Sequence, residues 1–157
     1  LTTKLTIDAI MSIDKNKEKD STALDIGCGS GIVTILLLKL KYKTIKSIDI
    51  DSYVLTEARQ NIISNFGHFP MAVSLTDEEV HLLEYEFDLV AANISGNFIP
   101  ENLKTISNLV KPNGHLIISG FNCEKEKKFT DLGNQNQLAL YSKFIRKPWI
   151  SLIFKRY

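Results

Sequence analysis

Several things are scarce in this chain of 157 residues, and each scarcity excludes something. Its two cysteines, Cys28 and Cys123, lie far apart without a Cys-x-x-Cys pattern, so a disulfide framework, a zinc site and a redox pair all lack support and no metal is expected. Arginine occurs only at Arg59, Arg146 and Arg156, and the net charge is +1. The chain therefore has neither an overall basic field nor many of the forked donors that phosphate and base recognition favour, and direct nucleic-acid binding is not expected. The most apolar stretch, Ile32 to Leu40, is interrupted by Thr34 and Lys39 and falls short of the roughly 20 residues a membrane span needs. No signal peptide opens the chain, so a cytoplasmic location without a membrane partner is the expectation. An initiator methionine is also missing, and the chain starts inside a helical pattern (Leu5, Ala9, Ile13), which reads as part of a longer protein.

What is present is an ordinary globular composition, 44% hydrophobic and 24% charged, enough for one compact domain over residues 1–157. Apolar strands alternate with helical stretches. Thr22 to Ile26 is a short apolar run stopped by glycines, and Ile32 to about Lys41 is an apolar helix. Thr44 to Ile50 reads as a second strand, and Ser52 to Asn65 as a helix turning Val54, Leu55, Ala58 and Ile62 inward and ending at Gly67. Met71 to Leu75 is a third strand, and the capping-box spacing of Thr76 and Glu79 opens a brief helix. Phe87 to Asn93 is apolar almost throughout, as when both faces of a parallel sheet are covered. Pro100 fits the first turn of a helix with Leu103, Ile106 and Val110 inside; Lys111 to Gly114 reads as a turn, and His115 to Ser119 as a fifth strand. Asn122 is placed to cap a charged helix, and two extended segments, Leu138 to Arg146 and Trp149 to Lys155, close the chain as an antiparallel pair.

Helices between strands enforce parallel pairing through right-handed crossovers, so the expected fold class is α/β, an open, doubly wound, Rossmann-like sheet. Such sheets bind ligands at the carboxyl ends of their strands. The glycines are there. Asp25-Ile26-Gly27-Cys28-Gly29-Ser30-Gly31 joins the first strand to the first crossover helix, and glycine lets backbone approach a ligand closely. A dinucleotide fingerprint needs its third glycine at position 32, which is Ile32, and no Gly-Lys-Ser/Thr marks a triphosphate loop. Asp49, 18 residues after Gly31, is placed to accept both hydroxyls of a ribose; Ile50 could pack on an adenine face, and Asp51 reads as a helix cap. Asp25 is expected to fasten the glycine loop by bonds to its backbone amides.

These features together resemble the S-adenosylmethionine-dependent class I methyltransferase fold, which implies a seven-stranded sheet ending in an antiparallel pair. Asp49-Ile50-Asp51, Phe87 to Ile94, Lys111-Pro112-Asn113-Gly114, Ile118-Ser119-Gly120-Phe121 and Trp149-Ile150-Ser151-Leu152 resemble the ribosomal protein L11 methyltransferase family over nearly the whole chain. The resemblance implies S-adenosyl-L-methionine as cofactor, S-adenosyl-L-homocysteine as product, and a large-subunit ribosomal protein as partner and substrate, methylated on lysine or amino-terminal amines. It carries Thr3, Asp25, Gly27, Gly29, Gly31, Asp49, Ile50 and Asn93 over as cofactor-site residues. It also implies an amino-terminal module that grips the ribosomal protein; no segment of this chain corresponds to it, so the chain alone is expected to hold cofactor but methylate poorly.

Asn93 is the expected catalytic residue. A lysine amine must shed its proton before it can attack a methyl group, and an amide oxygen accepts from the amine without stabilising its cationic form as a carboxylate would. The stretch Asn93-Ile94-Ser95-Gly96 lacks the prolines and aromatic of an Asn-Pro-Pro-aromatic motif, which weakens a base substrate. Small-molecule or RNA methylation, and a cofactor-binding remnant with little turnover, are the alternatives. His68, His81 and His115 are expected in loops or on the surface, and Tyr53, Tyr85 and Phe98 in core or rim packing. The basic residues after Asp131 are expected on a solvated edge.

Overall fold

The computed structural model describes residues 1–14 and 18–157. Helix α1 (Thr2–Asp14) is followed by β1 (Thr22–Ile26), α2 (Ile32–Lys39), β2 (Thr44–Ile48), α3 (Ser52–Phe66) and β3 (Val73–Thr76). Then come β4 (Phe87–Asn93), α4 (Phe98–Asn108), β5 (Val110–Asn122), α5 (Glu126–Gln135), β6 (Leu138–Arg146) and β7 (Trp149–Arg156). The seven strands form one sheet in the order β3-β2-β1-β4-β5-β7-β6. The first five pair in parallel, while β7 runs antiparallel between β5 and β6.

Both faces of the sheet are covered, and the strand residues divide between them with period two. Leu24, Ile26, Val90, Ala92, Leu116, Ile118, Leu152 and Phe154 join the core under α4 and α5. Ala23, Leu89, Ala91, Ile117 and Ile153 join the opposite core, with Ala9, Ile10 and Ile13 of α1 and Leu37 of α2. Each fully buried leucine, isoleucine or phenylalanine contributes about 1.5–3 kcal/mol, so neither layer is dispensable. Leu5, Ala9 and Ile13 are buried on α1 as their spacing predicts. Among the described residues, no helix is long and apolar enough to cross a membrane.

Several local expectations are corrected. Val110 belongs to β5 rather than to α4, and Lys111 to Gly114 is a bulge inside β5, opposite Asp88, where four residues face one. The third strand starts at Val73, and a single 3-10 turn (Val80–Leu82) stands where a helix was expected. There the Thr76 hydroxyl accepts from the Glu78 amide, not from that of Glu79. Asn122 gives no side-chain cap; a 3-10 turn (Cys123–Lys125) leads into α5. The late basic residues are not simply solvated: Lys143 pairs with Glu126, Arg146 with Asp8 and Arg156 with Glu86.

Candidate functional site

The chain leaves β1 and enters β2 on one side of it but returns to β4 on the other, so the carboxyl ends of β1 and β4 diverge and open a crevice. A cavity of about 520 Å³ lies there, within the usual range for ligand clefts. Its lining includes Gly27 from the end of β1, Asp49 and Ile50 from the end of β2, Glu78 and His81 after β3, and Asn93 at the end of β4.

The glycine loop is shaped by crowding as much as by conformation. Gly27 has a φ of 70°, and a β-carbon there would sit 2.7 Å from Cγ1 of Ile94. Gly120, at the end of β5, closes on the same residue from the other side: its β-carbon would lie 2.6 Å from the Ile94 carbonyl oxygen. The two glycines let the segment after β4 fold down against β1 and β5. Gly29 and Gly31 are also left-handed, at φ 52° and 82°.

Asp49 is held in place by the loop it faces. Its Oδ2 accepts from the Gly29 amide at 3.0 Å and its Oδ1 from the Asp51 amide at 3.2 Å. Each carboxylate oxygen has two lone pairs, so one remains on each for a pair of neighbouring hydroxyls. Asp51 caps α3 as expected, accepting from the Tyr53 amide at 2.9 Å. Ile50 is 86% exposed beside the cavity, a large apolar side chain without cover.

Asp25 differs from expectation. The loop amides of Gly27 and Cys28 bond to the Ile48 carbonyl, and Asp25 Oδ2 instead accepts from the Thr34 hydroxyl at 2.8 Å, with Ser47 Oγ a further 2.8 Å away. Asp25 is 2% exposed and anchors the first turn of α2 rather than the loop. Burial raises its pKa to about 7, against the lowering effect of the Thr34 hydrogen bonds, with nearby Asp49 adding to the rise. Burial likewise raises the Cys28 thiol to about 12, which keeps it a protonated packing residue.

Asn93 is half-buried, its Nδ2 donating to Thr3 Oγ1 at 3.2 Å. Its Oδ1 is buried and has no hydrogen-bond partner among the described residues. A buried amide oxygen without a donor is uncommon and marks a position that a ligand can complete. A second cavity of about 260 Å³, lined by Leu1, Thr2, Gly120 and Trp149, meets the first at Asn93 and Ser95.

Of the expected residues, Gly27, Asp49, Ile50 and Asn93 line the cavity itself, Gly29 and Thr3 are hydrogen-bonded to Asp49 and Asn93, Gly31 is outside the lining, and Asp25 is buried. The sequence reading missed Glu78, Glu79 and His81. Glu78 pairs with Lys46 at 2.5 Å, and His81 Nδ1 lies 3.2 Å from Glu79 Oε2. Their place just past the third strand was the available signal, since ligands in this sheet type lie outside the carboxyl ends of the strands. Phe98 reaches the cavity, whereas Tyr53 and Tyr85 are 79% and 70% exposed, not packed.

The sheet order and the crevice at its switch point are those of the class I, Rossmann-like methyltransferase fold. The comparisons agree: the structure superposes on magnesium protoporphyrin IX methyltransferase from Synechocystis PCC 6803 with a TM-score of 0.80 at 16% identity, covering 99% of this chain and 80% of that one. At such low identity that likeness concerns the fold alone. Ribosomal protein L11 methylase from Lactobacillus delbrueckii subsp. bulgaricus superposes with a TM-score of 0.86 at 25% identity, covering 99% of this chain and 79% of that one. The family described as ribosomal protein L11 methyltransferase (PrmA) matches residues 1–157, and the chain belongs to that family. The Haemophilus influenzae relative is 34% identical over 154 residues, 98% of this chain and 50% of its own. The Ruminiclostridium cellulolyticum relative is 30% identical over 146 residues, 91% of this chain and 46% of its own. The chain thus spans about half the length of the curated relatives it matches.

Proposed function

We propose that this chain is the catalytic domain of an S-adenosylmethionine-dependent protein N-methyltransferase whose substrate amines belong to ribosomal protein L11. One observation carries the reading: a glycine-lined cleft holds both a carboxylate with lone pairs to spare and a buried amide oxygen with no partner among the described residues. The residues fit the cofactor. Asp49 would take the ribose hydroxyls, Ile50 would cover the adenine face, and the backbone of Gly27 to Gly31 would lie along the amino-acid end. S-adenosylmethionine supplies the sulfonium methyl group.

Transfer of a methyl group is an in-line displacement, so the chain contributes alignment and exclusion of water. Asn93 is the group placed for alignment. Its oxygen would accept from an N–H of the neutral amine and point the nitrogen lone pair at the methyl carbon. The second cavity, meeting the first at Asn93, is the approach for that amine. Titration calorimetry tests the cofactor half: S-adenosylhomocysteine is expected to bind and a nicotinamide dinucleotide is not. Incorporation of labelled methyl groups into ribosomal protein L11, compared with a small amine and with RNA, tests the substrate half.

A further inference from the structure

Three hydroxyl groups sit in the core beside the site, at positions where aliphatic side chains would fill the space. Thr6 of α1, Ser119 of β5 and Ser151 of β7 are each fully buried. Thr6 Oγ1 lies 3.0 Å from Ser119 Oγ, and Ser119 Oγ lies 2.8 Å from Ser151 Oγ. Thr6 Oγ1 also lies 3.2 Å from the Thr2 carbonyl oxygen. A hydroxyl carries one hydrogen, so Thr6 cannot donate to both neighbours. Thr6 donates to Ser119 and Ser119 donates to Ser151, so two hydrogens in series tie α1 to β5 and β7. Buried hydroxyls lose solvation that aliphatic side chains would not, and only the bonds between them offset that cost, so their placement is tied to what those bonds hold.

They hold the first turn of α1. The relay starts at Thr6, one turn along α1 from Thr2 and Thr3, and Thr3 accepts from Asn93 Nδ2. At its middle, Ser119 is the direct partner of Asn93 across β4 and β5. The Thr3 contact is the one hydrogen bond of the Asn93 side chain among the described residues. An amide is planar, so fixing its nitrogen fixes its oxygen.

We propose that Thr6, Ser119 and Ser151 form a buried hydroxyl relay that seats the first turn of α1, so that Thr3 orients the Asn93 amide for methyl transfer. They are positioning residues, and the inference rests on the methyltransferase reading above. None of the three lines the cofactor cavity. Their loss therefore reaches the alignment of the amine more than cofactor binding.

The test uses the full chain with Thr6→Val, Ser119→Ala and Ser151→Ala, and Thr6→Ser as the variant that restores the hydroxyl. Amide hydrogen exchange at Thr6, Ile7 and Asp8 is expected to quicken about tenfold in the first three variants, with Leu116 to Ile118 changed less than about twofold. Single-turnover methyl transfer at saturating cofactor is expected to fall about tenfold, with the S-adenosylhomocysteine dissociation constant within about twofold. Thr6→Ser is expected to recover both. Unchanged exchange in α1 overturns the relay, as does exchange that quickens equally through β5, which marks a general loss of packing. A loosened α1 with full transfer overturns the positioning role. An unsubstituted chain that binds no cofactor and transfers no methyl group overturns the functional reading instead, and exchange alone then decides whether the relay seats the helix.

Discussion

The two ends of β4 carry polar side chains that are treated in opposite ways. Near its start, Asp88 Oδ2 accepts from the Thr22 amide at 2.7 Å, the Thr22 hydroxyl at 2.9 Å and the Lys111 ammonium at 2.8 Å. Burial acts to raise the Asp88 pKa, but Lys111 and Thr22 together outweigh it and hold the carboxyl below its ordinary range. At its far end, Asn93 keeps a buried oxygen without a donor among the described residues. The first side chain is spent on structure: it ties β1, β4 and the β5 bulge together. The second is held in place by Thr3 and left open. A saturated polar group stabilises the fold, whereas an incomplete one in a cleft is available to a ligand, and this sheet separates the two roles along a single strand.

The contrast breaks most visibly at Asn93. Asn93→Ala is expected to slow methyl transfer on the order of a hundredfold, with a smaller change in cofactor affinity, because the amide acts when the amine is aligned. Single-turnover kinetics beside calorimetry separates the two; an effect confined to affinity would make Asn93 a plain ligand contact. Next in size is Asp49→Ala. Losing charge-assisted hydrogen bonds worth about 1.5–3 kcal/mol should weaken S-adenosylhomocysteine binding roughly ten- to hundredfold. Unaltered binding by calorimetry would remove Asp49 from the cofactor site.

The two aspartates at the root of the fold sharpen the contrast through pH. Asp25 binds its proton more tightly folded than unfolded, with a pKa of about 7 against an ordinary 3.8. Its contribution to stability is therefore complete below about pH 4 and is lost as pH rises through 7, by on the order of 1.4 kcal/mol per pH unit at the steepest. Asp25→Asn keeps an acceptor for Thr34 but cannot ionise, so its stability relative to the parent chain should rise between pH 4 and pH 8 in denaturant titrations. A constant difference would show that Asp25 does not titrate in that window. Asp88 has the opposite sign: its pKa is lowered, so its contribution is present above the ordinary carboxylate range and lost as pH falls through the folded value. The side chain is 37% exposed, so solvent screens the pair, and Asp88→Ala should cost about 1 kcal/mol at neutral pH. Cofactor affinity should be unchanged, and a drop in it would mean that the two ends of β4 are coupled.

Most of the architecture was legible before any coordinates. The apolar run of β4 matches its observed limits, Asp51 caps α3 as its spacing indicates, and Gly67 ends that helix in a left-handed conformation. The exceptions share a cause. Lys111 to Gly114 carries every mark of a turn, yet Asp88 and Phe87 hold it in the sheet as a bulge. Val110 continues the helical spacing of α4 but pairs with Phe87 instead. Tertiary pairing overrode a local preference in both places.

The site divides the same way. Glycine spacing, an acidic residue after the second strand and an asparagine ending the fourth are properties of short segments, and chain order alone brings those segments to one end of a parallel sheet. Partners depend on register between distant strands. Asp25 turns to Thr34 rather than to the loop, Glu78 finds Lys46, and Thr6 meets Ser119 across 113 positions of sequence. Local pattern propagates over a few residues, whereas a hydrogen bond needs two atoms within about 3 Å, and only the packed sheet sets that distance.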